Sequence, residues 1–332
     1  MKVLKAFGAR DLRVVEVPVP EPDFGRVRVR VRASGVCGSD KWLWGGKSDE
    51  VAGHEVAGVV DALGEGVSSL ALGDRVVINN VGGCGDCLAC RSGAFVLCAD
   101  RGAGRDVNNG FGEYVVAPAR NCLRILPGLD FIDGALIMDN WGTPFGGIKK
   151  TTVAPGTDVL VNGCGPIGQA AIGLCKAMGA FVMAVDPIAW RRQIALRSGA
   201  DAVFAPEELP EAVRLRTNGL GAHVAMECSG NGEAYVPCLD SLRIGGELIS
   251  IGEHAEFVLR PSKRFIHRSL KITGTWYSTL PQAAELMEMA LLGRINVRSF
   301  LTHTVSIDEV PGLFGDIVAC ADGMLKCIVV FE

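Results

Sequence analysis

Residues 157–186 read TDVLVNGCGPIGQAAIGLCKAMGAFVMAVD. This stretch decides the fold, because it contains an apolar run, three glycines spaced as G-x-G-x-x-G, and a second apolar run that ends in an acid. Gly163 permits a tight turn, Gly165 lets the backbone approach a pyrophosphate, and Gly168 lets a helix pack closely against the preceding strand. The pattern predicts the strand, helix and strand of a doubly wound parallel sheet that binds a dinucleotide.

The residues around the glycines support this interpretation. Ile167, Ala171 and Leu174 recur at three- and four-residue intervals, which predicts a helix that ends near Gly179. Asp186 stands at the end of the second predicted strand. A carboxylate at this position accepts hydrogen bonds from the ribose hydroxyls and repels a 2′-phosphate, so the sequence favours NAD over NADP.

Composition limits the classes of function. A chain of 332 residues with 48% hydrophobic content predicts about two domains, each with its own core. The net charge of -4 provides no basic surface for nucleic acid or anionic lipid. Without a membrane-length apolar run or a signal-like start, we expect a cytoplasmic protein. The twelve cysteines then indicate metal ligation and buried thiols in preference to disulfides.

The first third of the chain is rich in predicted strands and contains VCGSDKWLWGGKSDEVAGHE at residues 36–55. Cys37 and His54 could fold onto one metal ion, although a buried thiol with a surface histidine is the alternative. Their neighbours favour the metal. Ser39 supplies a hydroxyl, Asp40 a carboxylate that could orient the imidazole, and Glu55 a second acid.

A second cysteine group follows in GGCGDCLACRSGAFVLC, residues 82–98. Cys84, Cys87, Cys90 and Cys98 are spaced as C-x2-C-x2-C-x7-C, which suits a closed tetrahedral zinc site. A closed shell of four thiolates leaves no open position for chemistry, so the site is predicted to be structural. An iron–sulfur cluster and a nucleic-acid-binding zinc ribbon are the alternatives, and the acidic charge disfavours the ribbon.

Together, the CGSD and GHE motifs, the four-cysteine lobe and the glycine motif resemble the zinc-dependent medium-chain alcohol dehydrogenases. The likeness extends over nearly the whole chain and is closest to the branch with sorbitol, threonine and secondary-alcohol dehydrogenases. It implies an α/β fold with a GroES-like, β-rich catalytic domain at residues 1–141 and 281–332, which includes the zinc lobe. A Rossmann domain with a doubly wound parallel sheet is expected at residues 142–280.

The resemblance also implies a set of metal ligands. Cys37 and His54 resemble two ligands of the family's catalytic zinc, and the third comes from the segment just before the Rossmann domain. Other branches of the family place cysteine or glutamate at the position of Met138, whose thioether would be a poor ligand. We expect Asp139 to be the ligand, because it resembles the aspartate that secondary-alcohol enzymes use. Glu55 resembles the acid that can exchange onto the metal. Two zinc ions per chain are therefore predicted, one catalytic and one structural.

Nine residues are predicted to bind the cofactor: Gly163, Gly165, Pro166, Ile167, Gly168, Asp186, Arg191, Ile251 and Lys326. Arg191 could meet adenine or phosphate, or be an ordinary charge on a helix surface. Lys326 resembles the cation that meets the pyrophosphate, and Thr143 resembles the threonine that packs against the nicotinamide. The segment Lys271–Tyr277 resembles the edge strand through which family members pair, so a homodimer or homotetramer is expected.

The predicted function is hydride transfer between NAD and a secondary alcohol, with zinc lowering the pKa of the hydroxyl and Ser39 accepting its proton. The small-molecule substrate is expected to be a polyol, sugar or cyclitol. Trp42, Trp44 and Trp141 could supply aromatic faces for such a ring, or they could belong to the core. Two alternatives remain, an epimerase that retains its NAD and a dehydrogenase of simple secondary alcohols. A non-catalytic NAD-binding protein is disfavoured, because it would not need an open metal site.

Overall fold

The computed structural model describes residues 1–46, 52–101, 107, 109–254, 256–321 and 323–332. Its strands are, in chain order, β1 (Lys2–Gly8), β2 (Asp11–Glu16), β3 (Arg26–Val36), β4 (Glu55–Leu63), β5 (Arg75–Ile78), β6 (Tyr114–Pro118), β7 (Cys122–Arg124), β8 (Asp158–Asn162), β9 (Phe181–Val185), β10 (Ala202–Phe204), β11 (Ala222–Glu227), β12 (Leu242–Ser250), β13 (Lys271–Gly274), β14 (His303–Ser306) and β15 (Cys327–Val330).

The α-helices are α1 (Lys41–Trp44), α2 (Leu88–Arg91), α3 (Phe131–Leu136), α4 (Gly142–Ile148), α5 (Pro166–Ala177), α6 (Ala189–Arg197), α7 (Leu209–Arg216), α8 (Tyr235–Ser241), α9 (Pro261–Arg264), α10 (Leu280–Leu291) and α11 (Val310–Ala319). A π-helix, Ile137–Trp141, lies between α3 and α4. None of these helices is long and apolar enough to cross a bilayer.

The described residues form two compact units. The first contains Met1–Asp139, Ser278–Leu291 and Leu301–Glu332, and the second contains Asn140–Tyr277 and Leu292–Phe300. The last of these segments belongs to the first domain in the sequence prediction. It joins the second unit because the Trp141 indole donates to the Val297 carbonyl at 3.0 Å and stacks on Phe300, whose ring centroid is 5.8 Å away.

The first unit is built on a seven-stranded sheet. Its strands run in the order β14-β15-β3-β4-β5-β7, and β6 also pairs with β3. All pairs are antiparallel except β14 with β15. Along β3 the side chains of Val27, Val29 and Val31 are buried, whereas the arginines between them are more exposed. This alternation places one face of the strand on the core and the other toward water.

The second unit contains a six-stranded parallel sheet in the order β10-β9-β8-β11-β12-β13. The strand order reverses beside β8, between β9 and β11, which is the switch point where ligands bind in doubly wound folds. Val159, Leu160 and Val161 of β8 are fully buried, as expected for a central strand that is covered on both faces. The predicted fold class, a β-rich GroES-like domain with a parallel-sheet Rossmann domain, is confirmed.

Most predicted elements of the second unit are present, but the last strand is shorter than predicted. β13 ends at Gly274, whereas the sequence suggested a strand through Tyr277. Tyr277 has a φ of 52°, which is a left-handed conformation and does not continue an extended strand. β13 nevertheless forms one edge of the sheet, opposite β10.

Candidate active site

Four predicted residues of the first unit come together in what we call the mixed cluster: Cys37, His54, Glu55 and Asp139. One potential ligand atom from each residue lies within 4.8 Å of those of the other three. The strand register explains part of this arrangement. β3 and β4 are antiparallel and Gly35 pairs with Glu55, so the end of β3 and the start of β4 are adjacent. Residues just beyond those ends, Cys37 and His54, therefore meet.

Asp139 reaches the cluster from the π-helix. Its Oδ2 lies 3.2 Å from Nε2 of His54. A π-turn inserts an extra residue into a helix and often occurs at functional sites, because it rotates side chains relative to the regular helix. The local backbone thus presents the acid that the sequence prediction selected as the third ligand.

Asp40 organises two of the other ligands. Its Oδ1 lies 3.3 Å from Nδ1 of His54, and its Oδ2 accepts the Cys37 backbone N–H at 2.9 Å. Asp40 is fully buried, so these contacts are shielded from water. A carboxylate on the far nitrogen of a histidine fixes the ring orientation and leaves the other nitrogen for a metal. Ser39 is exposed in the same short helix, Gly38–Asp40.

Lys326 departs from its predicted role. It was expected to meet the pyrophosphate, but its Nζ donates to Glu55 Oε1 at 2.7 Å and to the Val36 carbonyl at 3.0 Å. Lys326 is 2% exposed and Glu55 is 0% exposed. The reason is register, because β15 pairs with β3 so that Cys327 lies opposite Val36. This pairing carries the preceding lysine to the edge of the mixed cluster.

Burial and charge act together on this ion pair. Burial raises the pKa of the Glu55 carboxyl, and the positive charge of Lys326 opposes that rise. For Lys326, burial lowers the pKa, but the negative charges of Glu55, Cys37 and Asp139 and the hydrogen bond to Glu55 together outweigh burial, so the pKa is raised overall. Among the described residues, Glu55 Oε2 is buried without a hydrogen-bond partner. Glu55 therefore has one oxygen fixed by lysine and a second available to the cluster.

The donor set fits a catalytic zinc. Thiolate, imidazole and carboxylate are all zinc ligands, and three protein ligands leave a fourth position for a substrate. Cys37, His54 and Asp139 supply that set, and Glu55 is a fourth donor within the same 4.8 Å. The orientation of His54 by Asp40 is a second feature typical of metal sites.

The four cysteines of the lobe also meet. The sulfurs of Cys84, Cys87, Cys90 and Cys98 lie within 4.8 Å of one another. Backbone N–H groups of Cys87 and Asp86 lower the pKa of Cys84 to about 6, while burial raises the pKa of Cys90 to about 12.

The lobe also depends on a nearby glycine. A Cβ atom at Gly83 would lie 2.5 Å from the Cys90 sulfur, so this position needs a glycine. The arrangement fits a closed zinc site, in which a bound cation would deprotonate the thiols. The twelve cysteines all lie among the described residues, and none of them forms a disulfide bond.

The glycine motif has the geometry that its sequence predicts. Gly163 has a φ of 95°, and a Cβ there would lie 2.7 Å from Ser229. A Cβ at Gly168 would lie 1.8 Å from the Gly163 carbonyl oxygen, so only glycine allows α5 to approach the turn. Gly165 has open space around its Cβ position and immediately precedes Pro166, the first residue of α5. An open helix N-terminus of this kind suits a pyrophosphate.

Asp186 directly follows β9 and is held by the backbone. Its Oδ2 accepts the N–H of Cys164 and its Oδ1 accepts the N–H of Ile188, both at 2.8 Å. Each carboxylate oxygen keeps a second lone pair for a ribose hydroxyl. The Arg192 guanidinium donates a hydrogen bond to the Asp186 carbonyl oxygen at 2.6 Å and so helps to fix the turn. This contact was not predicted from the sequence.

The remaining predicted residues occupy helix starts and strand ends of the second unit. Ile167 lies in the first turn of α5, and Thr143 is buried in α4. Ile251 follows β12 and donates its N–H to the Glu227 carbonyl at 3.0 Å. Arg191 lies in α6 with its guanidinium carbon 5.5 Å from the Trp190 ring centroid.

The three tryptophans proposed either as aromatic faces for a sugar ring or as core residues differ in burial. Trp141 is buried in the second unit, where it packs against Phe300. Trp44 packs on Phe314 of the first unit at a centroid distance of 6.0 Å. Trp44 is nevertheless only partly buried, and Trp42 is 37% exposed. Proximity to the metal motifs in the sequence did not distinguish a core tryptophan from a surface one.

One cavity of the second unit lies away from the predicted metal and cofactor sites. A cavity of about 820 Å³ lies in the second unit between α7, α8 and the start of β12. It is lined by none of the predicted ligands or glycines. The metal-ligand clusters of the first unit and the glycine motif of the second are therefore identified from their own residues.

Comparison with known proteins supports the same assignment. The chain matches the alcohol dehydrogenase GroES-like domain over residues 23–127 and the zinc-binding dehydrogenase family over residues 166–291. It is 32% identical to an alcohol dehydrogenase of Geobacillus stearothermophilus, covering 86% of this chain and 87% of that protein. It is 31% identical to the L-threonine 3-dehydrogenase of Pyrococcus horikoshii, covering 91% and 90%.

A solved structure extends this likeness to three dimensions. A zinc-binding dehydrogenase of Sinorhizobium meliloti 1021 bound to NADP superimposes with a TM-score of 0.87 at 25% identity, covering 99% of each chain. The GroES-like match contains Cys37, His54 and Glu55 of the mixed cluster, and the second match begins at Pro166, within the glycine motif. The chain therefore belongs to the zinc-dependent medium-chain alcohol dehydrogenase family.

Proposed function

We propose that this protein is an NAD-dependent dehydrogenase that oxidises a secondary alcohol, or reduces the matching ketone, at a zinc ion in the mixed cluster. The observation that carries the proposal is the meeting of Cys37, His54 and Asp139 beside the buried Glu55. A protein that only bound NAD would not need this donor set. The family membership supports alcohol oxidoreduction as the general activity.

Different residues of the first unit would bind the metal, orient the imidazole ligand and transfer the proton. Zinc, when bound, supplies Lewis-acid chemistry that lowers the pKa of an alcohol hydroxyl, and NAD supplies the hydride acceptor. Cys37, His54 and Asp139 hold the metal, and Asp40 keeps the imidazole in its binding orientation. The exposed Ser39 hydroxyl lies two residues after Cys37 and would accept the proton released by the substrate while passing its own proton to water.

Glu55 has a separate role in this scheme. Its bond to Lys326 restrains one oxygen, and the second oxygen lets the side chain approach the metal while substrate and product exchange. Lys326 also reduces the cost of keeping a carboxylate buried beside Asp139. The lobe cysteines hold the second zinc, which stabilises the fold, so each chain binds two zinc ions.

NAD is proposed over NADP because of Asp186. The Sinorhizobium meliloti relative contains NADP, so the family alone does not decide the cofactor. In this chain a carboxylate follows β9, and both of its oxygens are fixed by backbone N–H groups. A fixed negative charge at this position disfavours a 2′-phosphate.

The substrate class is a secondary alcohol, and a polyol is the narrower proposal. The P. horikoshii relative is an L-threonine 3-dehydrogenase, and threonine carries a secondary hydroxyl. Aromatic faces for a sugar ring could come from the exposed Trp42 and the partly buried Trp44.

The test is a panel of polyols, sugars, cyclitols and simple secondary alcohols with NAD, followed by NADH absorbance. Stoichiometric NADH release supports the dehydrogenase. Turnover with no net NADH, and NAD retained after purification, would indicate an epimerase instead.

A further inference from the structure

Ser278 is a buried residue far along the chain from the metal ligands, with 1% of its surface exposed. Its Oγ donates a hydrogen bond to the Met138 carbonyl oxygen at 2.7 Å. That carbonyl belongs to the peptide bond that joins Met138 to Asp139. We propose that Ser278 is a positioning residue for the mixed cluster, holding the peptide from which the Asp139 side chain projects. This inference rests on the proposed role of Asp139 as a zinc ligand.

The π-helix explains why this hydrogen bond matters. A π-turn disrupts the regular ladder of i→i+4 hydrogen bonds, so the peptide groups in it depend more on outside donors. The Met138 carbonyl lies within the π-helix Ile137–Trp141. Fixing its oxygen fixes the plane of the peptide and therefore the direction of the next residue, Asp139.

Ser278 is in turn fixed to the sheet of the first unit. Asn79 donates from Nδ2 to the Ser278 carbonyl at 3.1 Å. Asn121 donates from Nδ2 to the Asn79 carbonyl at 2.7 Å and to the Val81 carbonyl at 3.0 Å. Both asparagines are fully buried and lie next to the paired strands β5 and β7. The serine hydroxyl is thus presented by a rigid, buried network.

The position of this contact in the chain supports a specific role. The chain leaves the first unit after Asp139 and re-enters it at Ser278. The hydrogen bond therefore joins the ends of two segments that are 140 positions apart. Ser278 Oγ also lies 3.6 Å from the Met138 sulfur, so the serine contacts both the backbone and the side chain of Met138.

The experiment measures zinc affinity. Purified chains are titrated with a zinc chelator, and zinc loss from the mixed cluster and from the lobe is followed separately. Ser278→Ala is expected to weaken zinc binding at the mixed cluster about tenfold or more, as for other residues that orient metal ligands. The lobe should keep its zinc. Cobalt substituted at the mixed cluster should show a changed visible absorption spectrum, because Asp139 is no longer held in place.

Two variants separate positioning from a general loss of stability. Ser241→Ala removes a comparable bond, from Ser241 Oγ to the Pro237 carbonyl at 2.8 Å, in α8 of the second unit. It should leave zinc affinity and the cobalt spectrum unchanged. Ser278→Thr keeps the hydroxyl and should restore most of the affinity. If Ser278→Ala does not fold, Ser278→Cys replaces it, and its weaker donor should give an intermediate loss.

The outcomes distinguish this inference from the proposed function. If the wild-type chain binds zinc only in the lobe, the proposed catalytic site is wrong. If it binds two zinc ions but Ser278→Ala retains wild-type affinity and an unchanged cobalt spectrum, only the role of Ser278 is wrong. Equal losses in the alanine and threonine variants would also overturn it, because the hydroxyl would then not be the cause.

Discussion

The ion pair between Lys326 and Glu55 makes a strong prediction about stability. Lys326→Met keeps most of the volume of the side chain but removes the charge that neutralises Glu55. The two charged atoms are 2.7 Å apart, and both side chains are almost completely buried. The variant therefore leaves a carboxylate in the interior without its cation. It also removes the donor to the Val36 carbonyl.

The expected cost follows from that burial. Removing one partner of a buried ion pair typically costs about 3–5 kcal/mol, because the remaining charge is uncompensated. In domains of about 150–250 residues each kcal/mol lowers Tm by roughly 2–4 °C. We therefore expect Lys326→Met to lower Tm by roughly 6–20 °C, measured by circular dichroism during thermal unfolding with zinc present throughout.

Two controls make this prediction specific. Lys2 and Asp308 form an ion pair of the same length, 2.7 Å, but their side chains are 44% and 58% exposed. Lys2→Met should leave Tm nearly unchanged, because water screens that pair. The double variant Lys326→Met/Glu55→Gln should be more stable than Lys326→Met, since no charge remains buried. The reasoning is refuted if Lys326→Met is no worse than Lys2→Met, or if the double variant recovers nothing.

Three further predictions concern the metals and the cofactor. Asp139→Ala should lose zinc from the mixed cluster but not from the lobe, whereas Glu55→Ala should keep both zinc ions and turn over more slowly. If metal analysis shows the opposite pattern, Glu55 and not Asp139 is the third zinc ligand. Cys87→Ser should lower Tm by unfolding the lobe, while Cys37→Ser should abolish turnover with little change in Tm, and identical behaviour would contradict the division into two sites. Asp186→Ser should lower the ratio of kcat/KM with NAD to kcat/KM with NADP. A wild-type preference for NADP would contradict the assignment of Asp186 as the residue that selects NAD.

Much of the fold could be predicted because the decisive signals are local. The turn at Gly163 and the close packing at Gly168 each impose a requirement that only glycine meets, so the motif and its geometry agree. The spacing of the lobe cysteines is similarly local, since the four residues lie within 15 positions of sequence. Period-2 alternation in β3 also predicted its buried valines.

The rest depended on contacts between distant segments. Lys326 and Glu55 are 271 positions apart, and their pairing follows from the register of β15 on β3. A lysine near the end of the chain gives no local signal of such a partner, so resemblance suggested a pyrophosphate contact instead. The two alternatives for Trp141, core or surface, stayed open for a related reason. Its burial depends in part on stacking against Phe300, which comes from a distant segment of the chain.

The central claim is that the mixed cluster binds a zinc ion at which NAD would oxidise a secondary alcohol. Its most direct test is to remove zinc from the mixed cluster while the lobe keeps its own, and to measure NADH formation from the best alcohol of the panel before removal, after removal and after zinc is restored. We predict two zinc ions per chain at the start, loss of NADH formation when one is removed, and recovery when it is replaced. Undiminished NADH formation with the mixed cluster free of metal would contradict the account.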